Sequence, residues 1–226
     1  KYYKDKSLLI INNGKILSID KNFEINSEII EYKINESNLN FENNIVINDG
    51  INNLVINSSK INYNLEKRKI TSQDYSEIFD DLNNTYKVDG FEYSIKDKII
   101  KLNNLVVQDK DKNSFLVDMS YLDLNKKELI AKDISMNFKL EENSENEPRL
   151  KGRSLISDER NTIVKKGTFT FCKKREKCPP WEMSADEIRN DKNKKIIYYK
   201  DASLKVYDKK IFYFPRFFHP DPTVKR

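Results

Sequence analysis

Ile134-Ser135-Met136-Asn137-Phe138-Lys139-Leu140 is the clearest run in the chain, with an apolar side chain at every second residue and a polar one between. In an extended strand successive side chains leave opposite faces. Ile134, Met136, Phe138 and Leu140 therefore share a dry face, and Ser135, Asn137 and Lys139 a wet one. The same alternation recurs in both directions along the chain. It is present at Phe23 and Ile25; Ile30, Tyr32 and Ile34; Leu39 and Phe41; Ile45 and Ile47; Leu54 and Ile56; and Ile61, Tyr63 and Leu65. It returns at Phe91, Tyr93 and Ile95, at Phe115, Val117, Met119 and Tyr121, and at Ile196 and Tyr198, which lead through Lys200 to Ala202, Leu204 and Val206. Turn-forming clusters separate the runs: Asn12-Asn13-Gly14, Asn48-Asp49-Gly50, Asp89-Gly90 and Asp109-Lys110-Asp111-Lys112-Asn113. The pattern predicts an all-β chain of short strands, each with one buried side.

A weak repeat strengthens this. Leu65-Glu66-Lys67-Arg68-Lys69-Ile70 resembles Leu124-Asn125-Lys126-Lys127-Glu128-Leu129, and Ile188 to Ile196 has a similar composition. A spacing of about thirty residues suits two strands and two turns per unit, stacked so that each buries its face on the next. One segment departs: Tyr75, Ile78, Phe79 and Leu82 fall at helical spacing behind Ser72 as a plausible N-cap, which predicts a short helix over residues 73–83 covering an end of the sheet. The polar stretch from Glu141 to Gly152, with Pro148, reads as a loop.

Composition bounds the function. Apolar residues make up 38% of the 226-residue chain, below the globular average of roughly 45–50%, and charged residues 34%. Such a core is thin and suits an open sheet stack better than a sphere. The net charge is +5 and unevenly spread: residues 165–226 hold 17 Lys and Arg against 8 Asp and Glu, a net +9, and the rest is acidic at −4. The basic section suits anionic lipid headgroups or phosphorylated glycolipid. Nucleic acid fits poorly, because no aromatic stacking motif accompanies the lysines. There is no initiating Met, no signal-peptide core and no apolar run near 18 residues, so the chain reads as part of a longer protein.

No nucleophile motif, phosphate loop or dinucleotide fingerprint is present, and the one histidine, His219, lies between Phe218 and Pro220. A binding or structural role is expected, without catalysis, cofactor or metal. Cys172 and Cys178 stand in a C-x5-C spacing that does not match a structural zinc site. A disulfide in an oxidising compartment fits better, with two free thiols as the alternative.

The last third carries a resemblance. Gly167-Thr168-Phe169-Thr170-Phe171-Cys172, then Trp181-x-Met183-x-Ala185-x-Glu187-Ile188, then Ala202-x-Leu204-x-Val206 and Ile211-Phe212-Tyr213-Phe214-Pro215 together resemble the LptD family of lipopolysaccharide-assembly proteins. The Cys-Pro-Pro-Trp variant looks like its alphaproteobacterial members. Upstream of about residue 150 the likeness is the looser periodicity of the OstA-type β-repeat.

The resemblance implies an open β-jellyroll, or β-taco, of two packed antiparallel sheets over residues 1–222. An aromatic and proline junction at 212–226 would lead into an outer-membrane barrel. It implies a periplasmic location, attached to the outer membrane through that barrel, and lipopolysaccharide as cargo. Acyl chains would lie in an apolar groove for which Ile134, Met136, Phe138, Leu204, Val206 and Tyr213 are the candidates. It also implies an LptA-like bridge protein added by strand augmentation at the N-terminal edge, in Ser7–Ile19 or Phe23–Ile34, and an LptE-like lipoprotein on the full-length barrel. Phe212, Pro215, Phe217, Phe218, Pro220 and Pro222 would form the junction. Cys172 matches the family cysteine that bonds to the barrel, whereas Cys178 departs from that pattern and offers a competing local bridge. A soluble LptA-like lipopolysaccharide bridge, and a β-solenoid adhesin or carbohydrate-binding module, are the alternatives.

Overall fold

The computed structural model describes residues 1–4, 7–108, 114–137, 148–170, 172, 180–221 and 224. Phe138, Cys178, Pro222 and the 109–113 turn lie outside the described residues. Seventeen strands are described: β1 (Tyr2–Tyr3), β2 (Leu8–Leu17), β3 (Phe23–Lys33), β4 (Asn38–Asp49), β5 (Leu54–Asn64), β6 (Lys69–Ser72), β7 (Ser76–Phe79), β8 (Thr85–Val88), β9 (Gly90–Ser94), β10 (Ile99–Gln108), β11 (Ser114–Asp123), β12 (Glu128–Asn137), β13 (Arg149–Ser157), β14 (Asn161–Thr170), β15 (Trp181–Asp191), β16 (Ile196–Val206) and β17 (Lys209–Pro220). Isoleucine and leucine lead their buried positions, and the isoleucine, valine, tyrosine and phenylalanine among them pack well on a half-buried pleated surface. The fold is all-β and antiparallel, as the alternation predicts, and consistent with the jellyroll that the family resemblance implies.

The chain forms two compact units, Lys1–Leu105 with Tyr121–Asn125, and Val106–Ser120 with Lys126–Arg226. In the first, β2 to β5 pair in sequence. The two halves of β5 then take different partners: Asn62–Asn64 pair with β6, and Val55–Ser58 with β7. Strand β6 continues to β9 and β7 to β8. In the second unit β12 to β17 pair in sequence, each antiparallel to the next.

The long strands of both units crease near the middle. In the second unit the registers skip Asp133, Arg153, Lys166, Asp186, Asp201 and Pro215, each flanked on both sides by paired residues. Asp133, Lys166 and Asp201 lie in the left-handed region, with φ of 51° at each. In the first unit β4 shifts register between Glu42 and Ile45, with Asn43 and Asn44 at φ 65° and 47°. Asn and Asp reach this conformation more readily than other side-chain-bearing residues, which is why they mark so many creases.

Creasing leaves backbone groups without ladder partners, and in a buried setting these must be satisfied. Serine hydroxyls do this in the first unit. Ser27 Oγ donates to the Glu42 carbonyl at 2.8 Å, and Ser72 Oγ to the Lys60 carbonyl at 2.8 Å. At a crease two successive side chains face outward, so the inward positions run i, i+2, i+5, i+7. Buried residues follow this spacing: Leu129, Ala131, Ile134 and Met136 in β12, and Ile197, Tyr199 and Ala202 in β16.

That spacing corrects several sequence expectations. The helix over 73–83 is absent: Ser76–Phe79 is a strand paired on both sides, with Ser76 and Ile78 buried. Its helical spacing arises because the chain reverses after Phe79, where Asp80 Oδ1 accepts the Leu82 and Asn84 amides at 2.9 Å each. Ser72, expected to cap that helix, spans the crease instead. Asn12-Asn13-Gly14 is the crease of β2, within the strand. The 141–152 loop yields from Arg149 onward to β13, where Leu150 is buried. Ile197 and Tyr199 face inward, not Ile196 and Tyr198.

Gly90 opens β9 just past the Asp89 break, and a Cβ there would lie 2.8 Å from the Ser72 carbonyl oxygen and 3.3 Å from the Gln73 Cα. Both obstacles are backbone and cannot rotate away. Gly90→Ala should therefore lower stability by about 1–3 kcal/mol, read as a lower urea midpoint at unchanged slope; an unmoved midpoint would contradict this account of the crease.

Candidate functional site

The registers of the second unit assemble two inward rows. One runs Met136, Leu150, Phe169, Met183, Leu204, Phe212 across β12 to β17. The other, on the far side of the crease, runs Ala131, Leu155, Val164, Ile188, Tyr199, Phe217. With neighbouring strands about 4.8 Å apart, each row is about 24 Å long. Between them lies a row of small residues, Gly167, Ala185 and Ala202. A Cβ on Gly167 would come within 2.7 Å of Ile188 Cδ1, so the absence of a side chain lets the neighbouring row close over it.

The two rows meet. The Phe169 ring lies 6.4 Å from that of Tyr199, edge to face, and 5.3 Å from the His219 ring. The first unit is closed in the same way: Tyr93, buried on the arm that pairs with β6, donates its hydroxyl to Asp49 at the end of β4. Burial, reinforced by the Asp49 carboxylate, holds the Tyr93 phenol far above its ordinary pKa, so it remains a donor.

The closure is uneven. Met136, Leu150, Phe169 and Met183 are buried, Leu204 is half-buried, and Phe212 is 57% exposed. One inward row therefore runs from a packed core to an apolar surface open to a ligand. Lys209 and Lys210, opposite Val206 and Lys205, place cations beside that open end.

The sequence candidates distribute as follows. Ile134, Met136, Leu204 and Val206 fall on the inward parity of their strands, the first two as buried packing and the last two toward the open end. Tyr213 does not belong to the groove: it pairs with Ser203 on the outward face and donates to Asp201 Oδ1 at 2.8 Å. Phe212, Pro215, Phe217, Phe218 and Pro220, the described residues of the expected junction, belong to β17, all but Pro215 in register with β16. Pro215 stands opposite Asp201 at the crease, one place in a strand where a missing N–H disturbs no ladder bond. Cys172 is a half-buried free thiol whose carbonyl accepts Arg149 Nη1 at 2.8 Å. Alternation marks apolar residues within single strands; that Phe169 and Met183 stand in one row with Leu204 and Phe212 is set by pairing between strands, which alternation does not show.

His219 closes the rim. Its Nδ1 lies 2.5 Å from the Pro220 carbonyl, which can only accept, so Nδ1 carries the proton and Nε2 accepts the Tyr199 hydroxyl at 2.8 Å. Burial lowers the ring pKa, opposed by the Pro220 carbonyl and Asp221.

No family model and no curated protein matches the sequence. Among solved structures the chain is similar to LptH from Pseudomonas aeruginosa, the LptA homologous periplasmic component of its lipopolysaccharide transport device. The TM-score is 0.39 at 9% identity, over 57% of this chain and 84% of that one. The functional reading rests on the geometry of the rows themselves.

The His219 environment sets a pH dependence. The unfolded ring titrates near 6.5 and the folded ring lower, so below about pH 6.5 the unfolded state binds a proton that the folded state does not. Stability should fall as pH drops through 6.5 and level off once the folded ring protonates. Urea titrations on either side of that pH should show the loss in the native chain and a smaller one in His219→Gln; equal losses would remove His219 from the account.

Proposed function

We propose that the chain is the periplasmic part of an outer-membrane lipopolysaccharide translocon, a non-catalytic groove that accepts acyl chains and passes them toward a barrel. The observation that carries this reading is the inward row ending in Leu204 and Phe212, apolar along its length and uncovered at one end. Each buried methylene contributes about 0.8 kcal/mol, so a lipid with several acyl chains needs such cover to cross water. The cations Lys209 and Lys210 beside the open end suit a phosphorylated headgroup left in solvent.

The residue resemblance at Gly167–Cys172 and Trp181–Ile188 supports the translocon over a soluble bridge, and the pairing of β17 with β16 directs the groove toward the C-terminal end. An LptA-like bridge protein would add by β-augmentation at the N-terminal strands, β2 or β3. An LptE-like lipoprotein would accompany the full-length barrel.

A photo-crosslinking residue at Leu204 or Phe212 should capture lipopolysaccharide during transport, whereas one at Lys151 or Ser184, on the outward face of β13 and β15 in the same unit, should not. Leu204→Asp should abolish capture at Phe212. Equal capture at inward and outward positions, or none at either inward position, would end the groove reading.

A further inference from the structure

The outward face of one arm in the second unit breaks the rule that outward means polar. On the arm beyond the crease, strand pairing aligns Ile130, Ile156, Ile163, Arg189, Tyr198 and Phe218 in a single outward row. Ile156 is 43% exposed and Phe218 65%. The Tyr198 and Phe218 rings lie 6.1 Å apart, and the Arg189 guanidinium sits 4.7 Å over the Tyr198 ring. Arg189 thus extends the row as a flat stacked surface and does not interrupt it. On the other arm the corresponding outward row is Ser135, Lys151, Thr168, Ser184 and Ser203 up to Tyr213, almost wholly polar. The apolar row therefore does not follow from the repeat.

The next outward row, two residues along each strand and so about 7 Å away, carries Lys132, Lys165, Lys200 and Arg216, with Glu187 paired to Lys165. An apolar row about 24 Å long beside a basic one fits a partner that is apolar and anionic at adjacent depths. A second copy of this face would set like charge against like, and a nucleic acid would leave the isoleucines unmatched. We propose that this platform docks on the surface of an anionic lipid bilayer. Ile130, Ile156, Tyr198 and Phe218 enter the headgroup boundary, and Lys132, Lys200 and Arg216 meet the phosphates.

The inference is independent of what the interior carries. It is tested by flotation of the whole chain with vesicles of phosphatidylcholine containing phosphatidylglycerol, against pure phosphatidylcholine. The chain should float with the anionic vesicles and not with the neutral ones, and added salt should weaken the association. Lys200→Gln and Arg216→Gln should each lower partitioning about fivefold. Ile156→Ser with Phe218→Ser should abolish it, and Lys151→Gln on the other arm should leave it unchanged, with urea midpoints confirming that each variant folds. Equal binding to both vesicle types, retention by the row variants, or a row that instead mediates a dimer lost in the Ile156 and Phe218 variant would overturn the proposal.

Discussion

The long strands β2 to β5 and β12 to β17 each leave their ladder for one or two residues and rejoin it. That interruption is the constraint on which the rest depends. A pleated strand that alternated without a break would lie in one layer and face one dry side to solvent. The crease turns the second half of the strand toward the first, and the two apolar faces then cover each other. The cost is local, in backbone groups without partners and residues at positive φ, and it is offset locally, by Ser27 and Ser72 hydroxyls and by Asn and Asp at the strained positions.

Because neighbouring strands crease in register, their effects add sideways. The skipped positions line up from Asp133 to Pro215, and the small residues Gly167, Ala185 and Ala202 line up beside them. Long side chains are thereby set back from the crease into two rows that reach across to each other. Phe169 stands on one row, Tyr199 on the other and His219 two residues beyond Phe217 on the same arm, and their ring contacts record how closely the arms approach. At the β17 end of its row Phe212 keeps more than half its surface exposed.

Strand content and the inward parity of single arms are legible in the sequence. Phe23 with Ile25, Leu54 with Ile56, and Ile134 with Met136 are correctly placed by alternation alone. Strict alternation fails at the crease, because it carries the parity of one arm into the next. For that reason alternation sets Ile196 and Tyr198 in the interior when Ile197 and Tyr199 occupy it; Tyr213, a groove candidate only through the family resemblance, bonds Asp201 outside. The 73–83 segment misleads for a different reason: a strand followed at once by a tight Asp80 turn mimics helical spacing over two turns. The rows themselves are not legible at all, since they are defined by pairing between residues as far apart as Met136 and Phe212.

The crease gives every strand something close to a reading frame. Inside and outside are set by counting from the preceding turn, and the extra outward residue advances the count by one at mid-strand. Removing one residue there would act on the fold as a frameshift acts on a message, turning one arm's apolar side chains out and its charges in. The damage would stop at the end of that strand, because each hairpin restarts the count. A fold built on pairing between distant residues thus keeps its errors short.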